Sequence, residues 1–260
     1  MTTNRQFSLT LNAMVDLKAD TVAPLPQPIP ASPTLNQVLL EVGALPREAL
    51  FLGVALDGLP VLLNLHDPIP GPLLMVGDAG SGKTAFLRML TSGIQQTHHP
   101  EAVQFGVITN HPEEWEDAET TPHQIGVFSV THSSAQEFIH SLAGWAHANQ
   151  KAGQTLLLLI DDLESVAKLE PEVIQELRWL LLRGPARRVW PIITMNAERY
   201  GQVLSWIPLF RTRIFGKIAK DHVADALGGD PSSALNQLEA GLQFSLRENG
   251  KWLKFWLPSC

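Results

Sequence analysis

The chain reads Gly77-Asp78-Ala79-Gly80-Ser81-Gly82-Lys83-Thr84-Ala85 directly after the apolar run Leu73–Val76 and at the head of a segment with helical periodicity. A glycine, four residues, then Gly-Lys-Thr is the pattern of a phosphate-binding loop when a strand precedes it and a helix follows. Glycines let main-chain N–H groups turn inward around phosphate oxygens with no Cβ in the way. A helix expected from Lys83 to Gln96 aims the positive end of its dipole at the same anion. Residues 77–85 are therefore the expected nucleotide cradle. Lys83 reaches the β- and γ-phosphates of ATP, and the Thr84 hydroxyl holds Mg2+.

Further along, Thr155–Ile160 is an uninterrupted apolar run, as expected of a central parallel strand covered on both faces. It delivers Asp161-Asp162 at its carboxyl end, where ligands bind in open α/β sheets. Asp161 suits orientation of the magnesium water shell, making Thr84 and Asp161 the candidate metal residues. Asp162 stands where many such ATPases carry a glutamate that polarises the attacking water, and it is one methylene shorter. Without the loop, the two acids would read as solvated surface. Asn196 ends the expected strand Val189–Met195; it contacts the γ-phosphate or the water, or else it only forms a turn. Arg213, with Arg211 as second choice, is the candidate arginine finger for a nucleotide in a neighbouring subunit; an ordinary ion pair is the alternative.

Around these motifs, strands alternate with helices, which implies a three-layer α/β fold on a mostly parallel sheet. Phe51–Leu56 and Pro60–Leu65 flank Asp57-Gly58, a favoured two-residue hairpin turn. Val103–Thr109, Ile125–Val130 and Arg213–Ile218 read as strands; Ser134–Gln150, Glu172–Arg183 and Asp221–Leu227 as helices. Gln243–Glu248 and Lys251–Leu257 read as a closing hairpin around Asn249-Gly250. In that last strand Trp252 and Trp256 share a face that is either core or a subunit interface. Alternating prolines from Pro24 to Pro33 favour an extended segment. The expected organisation is an appendage over 1–23, a proline-rich linker and lead-in over 24–48, and one domain over 49–260.

The formal net charge of −7 argues against a protein that coats nucleic acid over its whole surface. The charge is uneven: residues 101–120 hold six acids and no Lys or Arg, and residues 183–220 hold eight basic residues and one acid, Glu198. The basic stretch reads either as a local basic face or as arginines in the nucleotide site and ordinary ion pairs. No apolar run approaches the roughly 20 residues of a membrane span. With Cys260 as the lone cysteine and no secretory pattern at the start, a cytoplasmic protein without a membrane span is expected. His140 and His147 stand two helical turns apart and no cysteine joins the histidines, so zinc is not expected.

Over residues 50–257 the chain resembles the FtsK/HerA superfamily of P-loop ATPases. The hairpin Phe51–Leu65 followed by Pro72-Leu-Leu-Met-Val-Gly77 looks like that family's entry to its loop. Val107-Ile-Thr-Asn-His-Pro-Glu-Glu-Trp115 sits where the family has a strand ending in an Asp-Pro-Lys-like turn. Leu182-Arg-Gly-Pro-Ala-Arg-Arg188 before Ile192-Ile-Thr-Met-Asn196 is similar to its basic turn and sensor strand, with Asn196 in place of glutamine. Arg211-Thr-Arg-Ile-Phe215 and Leu238-Glu-Ala-Gly241 are similar to its closing elements. The resemblance implies a RecA-like core, a homo-oligomeric ring, often a hexamer, and movement along double-stranded DNA. Two competing readings remain. One is a nucleotide-gated scaffold or regulatory subunit that hydrolyses slowly or not at all and binds a partner protein. The other is an AAA+-type ATPase, which would carry a helical lid where this chain has a hairpin.

Overall fold

In the computed structural model the described residues are 33–115, 121–149, 153–248 and 251–259. The appendage 1–23, the start of the proline-rich segment and the Asn249-Gly250 turn lie outside them. The first described element is a helix, α1 (Leu35–Val42). The sequence reading placed these residues in the linker and lead-in over 24–48, with no helix, because eight residues give little periodicity. A capping box starts it: Gln37 N–H donates to Thr34 Oγ1 at 3.3 Å, and Thr34 N–H donates to Gln37 Oε1 at 2.9 Å.

Two strands follow, β1 (Ala49–Ala55) and β2 (Pro60–Asn64). Their turn is longer by one residue than expected. Gly58 N–H donates to Ala55 O, and Ala55 N–H donates to Leu59 O, so Leu56-Asp57-Gly58 makes a three-residue loop. Gly58 supplies the left-handed conformation at φ 86° that this loop needs.

The central elements are β3 (Leu73–Gly77), α2 (Lys83–Thr97), β4 (Val103–Thr109), β5 (Gln124–Ser129) and α3 (Ser133–Ala148). Then come β6 (Thr155–Asp161), a one-turn helix α4 (Leu163–Val166), α5 (Pro171–Arg183) and β7 (Val189–Asn196). The last are β8 (Thr212–Phe215), α6 (Asp221–Gly228), β9 (Gln243–Glu248) and β10 (Lys251–Trp256). Strand β8 ends three residues earlier than expected. Beyond Phe215 the chain leaves the ladder to brace the glycine-rich loop: Asp78 N–H donates to Lys217 O at 3.0 Å.

The ten strands among the described residues form one sheet in the order β2-β1-β10-β9-β8-β3-β7-β6-β4-β5. From β8 to β5 neighbours are parallel; β9, β10, β1 and β2 add an antiparallel wing. Alternating side chains of the central strands feed two cores. Leu73 and Met75 pack with Phe86, Leu90 and Ile94 of α2, while Leu74 and Val76 pack on the face covered by α3, α5 and α6. This is the expected three-layer α/β fold. Trp252 and Trp256, weighed as core, are only half-buried, each against a different core. No helix among the described residues is long and apolar enough to cross a membrane.

Candidate nucleotide site

The parallel register brings the motif residues to one edge. Gly77 ends β3 opposite Asn196 at the end of β7, and Thr109 at the end of β4 stands opposite Asp161 of β6. Strand β7 thus separates the loop strand from the carboxylate strand; Ile160 stands opposite Ile193, so β6 ends two residues short of the level at which β3 and β7 end.

The loop itself is built on close packing. Gly80 and Gly82 hold φ 72° and 92°, and a Cβ on Gly77 would lie 2.3 Å from Ser81 Oγ. Ser81 Oγ is buried with no hydrogen-bond partner. A Cβ on Gly82 would meet Gly241 Cα at 2.8 Å, and Gly241 N–H donates to Ser81 O at 3.2 Å. The segment leading into β9 therefore lies against the back of the loop. Asp78 holds the other side, its Oδ2 accepting Ala219 N–H at 2.7 Å. Ala79 and Gly80 stay exposed at the tip, and Ala85 lies in the first turn of α2.

Lys83 curls back, donating from Nζ to Gly77 O at 3.0 Å and Asp78 O at 2.7 Å. Burial pulls its pKa below the usual lysine value, against the opposing charges of Asp161, Glu164, Asp78 and Asp162. A polyanion in the loop would favour its charged form. Thr84 Oγ1 donates to Asp161 Oδ2 at 2.7 Å, joining residues 77 positions apart. A hydroxyl and a carboxylate oxygen side by side form a hard oxygen donor set that fits magnesium.

Asp162 has φ 97°, a strained conformation for a non-glycine residue. Its Oδ2 accepts from Asn110 Nδ2 at 3.0 Å and Ser165 Oγ at 2.9 Å, and the carboxylate also shares a hydrogen bond with the Glu164 carboxyl. Burial opposes its charge, but hydrogen bonds from Glu164 and Ser165 outweigh it and leave the carboxyl below the ordinary range. Asn196 uses its Oδ1 to accept Glu198 N–H at 3.0 Å, capping the turn that follows β7, and its own N–H donates to Glu164.

Four residues of this edge were given no role in the site from sequence, Asn110 having been noted only as part of the Asn110-His111 pair that stands in place of the family's Asp-Pro-Lys-like turn. Thr194 Oγ1 donates to Asp161 Oδ1 at 2.7 Å and accepts Asp162 N–H at 2.9 Å, clamping the paired acids. Asn110 and Ser165 hold Asp162. Glu164, 2 % exposed, accepts Asn196 N–H at 2.9 Å through Oε1, and its carboxyl shares a hydrogen bond with that of Asp162. Burial, then the adjoining Asp162, pushes Glu164 up to about 8. The available signals were the pattern Ile-Thr-Met-Asn at the end of β7 and an acid two residues after Asp162. Neither stands out from ordinary strand and helix-start composition.

Arg211 and Arg213 lie elsewhere. They enter β8, whose Thr212 and Arg213 stand opposite Leu73 and Leu74 of β3, near the strand's start rather than its loop end. Arg213 is half-buried, donating to Ile207 O at 3.2 Å and Leu227 O at 3.5 Å. Arg211 donates to Ile69 O at 3.4 Å. Neither has a carboxylate partner among the described residues. The basic stretch 183–220 therefore divides between the two ends of the sheet, with Lys220 paired to Glu198 at 2.8 Å.

A glycine loop after one strand, a carboxylate bound to its threonine after another, and a third strand between them define a P-loop NTPase with a RecA-like core. No family model matches the sequence. The chain is 28% identical over 133 residues to the ESX secretion system protein EccC of Thermomonospora curvata, covering 45% of this chain and 10% of that protein. The solved structure of Thermomonospora curvata EccC ATPases 2 and 3, in complex with a signal sequence peptide, superposes with a TM-score of 0.70 at 20% identity. It covers 92% of this chain and 45% of that one. EssC ATPases 2 and 3 from Geobacillus thermodenitrificans give 0.70 at 12% identity, covering 90% of this chain and 48% of that one. The pCW3 conjugation coupling protein TcpA, with ATPγS, gives 0.63 at 13% over 88% of this chain and 70% of that one. The fold is that of the EccC and EssC ATPase domains. The chain spans about a tenth of its EccC relative and under half of the first two structures.

Proposed function

We propose that the chain is a magnesium-dependent motor-type ATPase of FtsK/HerA type that works as a homo-oligomeric ring on double-stranded DNA, with residues 49–260 as the ATPase domain. The observation that carries the ATPase reading is the Thr84–Asp161 hydrogen bond, because it joins the two halves of the site. Magnesium, when bound, screens phosphate charge and polarises the phosphoryl oxygens. Thr84 and Asp161 would hold it. Lys83 exchanges its carbonyl partners for the β- and γ-phosphates, and the main-chain N–H groups of 78–85 surround them. Asp162 orients the attacking water, and Asn196 marks the γ-phosphate position from the neighbouring strand. In the ring, Arg213 or Arg211 serves as the arginine finger for the adjoining copy's nucleotide. Their lack of a carboxylate partner among the described residues supports that role.

The test is the steady-state ATPase rate with magnesium, with and without long double-stranded DNA at low salt, since phosphate contacts weaken steeply as salt rises. DNA-stimulated turnover supports the motor. Tight ATP binding with negligible, DNA-indifferent turnover supports a second reading, a nucleotide-gated scaffold that binds a protein partner. Two observations favour that alternative: Asp162 is held by Asn110 and Ser165, and EccC ATPases 2 and 3 were solved with a signal sequence peptide.

A further inference from the structure

Glu164 is a buried carboxyl beside the site to which the proposed reaction gives no role. It lies in the one-turn helix α4, two residues after Asp162, and is 2 % exposed. Burying a carboxyl this deeply is unfavourable unless its oxygens are met. Its Oε1 accepts Asn196 N–H at 2.9 Å, from the last residue of β7. Asp162 Oδ2 is taken by Asn110 and Ser165. That leaves Asp162 Oδ1 and Glu164 Oε2, both buried, for the hydrogen bond the two carboxyls share. Burial raises Glu164 while Asp162 lies below the ordinary range, so the proton of that bond rides on Glu164. One side chain thus touches both the carboxylate and the strand end that carries Asn196.

Sheet order gives this contact a direction. Strand β6 lies between β7 and β4, and β7 is the neighbour of the loop strand β3. Asn110 follows β4, on the side away from the phosphate loop, and its Nδ2 holds Asp162 Oδ2 at 3.0 Å. Glu164 ties the same carboxylate to β7, on the side toward the loop. The Asp162 main chain is anchored, its N–H donating to Thr194 Oγ1 at 2.9 Å. What remains adjustable is the side chain, drawn from two sides.

We propose that Glu164 is a positioning residue that couples γ-phosphate contact at Asn196 to the placement of Asp162. The proposal rests on the roles given above to Asn196 and Asp162. A ligand shifts such a balance only through contacts it makes differently in the two states. A γ-phosphate that engages the Asn196 side chain reorients the end of β7. The Asn196 N–H carries Glu164 with it, and Glu164 draws Asp162 off Asn110 toward the nucleotide. ADP lacks that phosphate and leaves Asp162 on Asn110.

Glu164→Leu removes every polar atom at similar volume, whereas Glu164→Gln keeps an acceptor for Asn196 N–H and a donor for Asp162. In steady-state turnover Glu164→Leu should lower kcat about tenfold with KM unchanged, and Glu164→Gln should stay within about twofold of wild type. An unchanged kcat in Glu164→Leu overturns the proposal. So does a KM that rises as kcat falls, or a Glu164→Gln as slow as Glu164→Leu. A second readout needs no hydrolysis. With isotope-labelled asparagine, the NMR signal of the Asn110 side-chain amide should shift on adding magnesium and ATPγS, but not with ADP. It should stay in place in Glu164→Leu and in Asn196→Ala, and the latter decides the matter should Glu164→Leu not fold. The same shift in either variant, or none in wild type with ATPγS bound, overturns the coupling. Absent turnover with the wild-type shift intact would remove the ATPase reading and leave the coupling standing.

Discussion

At the residue scale the site turns on which carboxyl does what. Glu164 is raised from 4.5 to about 8, so in the folded chain it holds its proton through most of the neutral range. A carboxyl raised on folding contributes stability that is full below its unfolded value and is lost as pH rises through about 8. The wild-type Tm should therefore fall between pH 5 and pH 8.5 relative to Glu164→Gln, which cannot ionise. Parallel melting curves across that range would sink the assignment. Asp162 is restrained rather than free, so releasing it should speed the chemistry. Asn110→Ala removes one of its side-chain donors and should raise kcat about fivefold with KM unchanged, as expected for a restraint of about 1 kcal/mol. An unchanged or lower kcat would show that Asn110 helps place Asp162 for reaction.

At the scale of elements, close approach of chain to chain decides the architecture. Gly106 in β4 faces Phe138 of α3 so tightly that a Cβ would sit 2.3 Å from the ring. Gly106→Ala should cost about 1–3 kcal/mol, as overpacking does, and lower Tm by a few degrees per kcal/mol. A calorimetric melt matching wild type would mean α3 shifts freely on the sheet. The elements carrying the site were legible because their signals are local and strong: an apolar run on each of β3 and β6, a glycine-rich loop, two acids. The turn after β1 was misread because Asp57-Gly58 suits both a two-residue and a three-residue loop, and pairing with Leu59 decides between them. The end of β8 was unreadable because Ile218 continues the apolar pattern while its neighbours Lys217 and Ala219 brace the loop. Thr194, Asn110 and Glu164 were missed for a similar reason: their roles arise from neighbours on other strands.

For the whole molecule the open question is assembly. A ring needs heterologous contacts that close, and nucleotide bound between copies would stabilise it by mass action. Light scattering on the full chain should show a mass increase on adding magnesium and ATPγS, and none for Lys83→Ala. A constant monomer mass under both conditions would remove the ring and, with it, the arginine finger role of Arg213 or Arg211.

The pairing of β1 with β10 sets Val54 beside Trp256, and Leu35 N–H donates to Ser259 O at 2.9 Å. During synthesis, then, the first hairpin emerges from the ribosome early and must wait for nearly the last residues of the sheet. Until they arrive, β1 offers an open edge, and Ser81 and Gly82 lack their contact with Gly241. A nascent chain thus presents its phosphate loop unsupported while an unpaired strand invites wrong partners. Holding that edge apart during translation is a task the finished protein no longer poses.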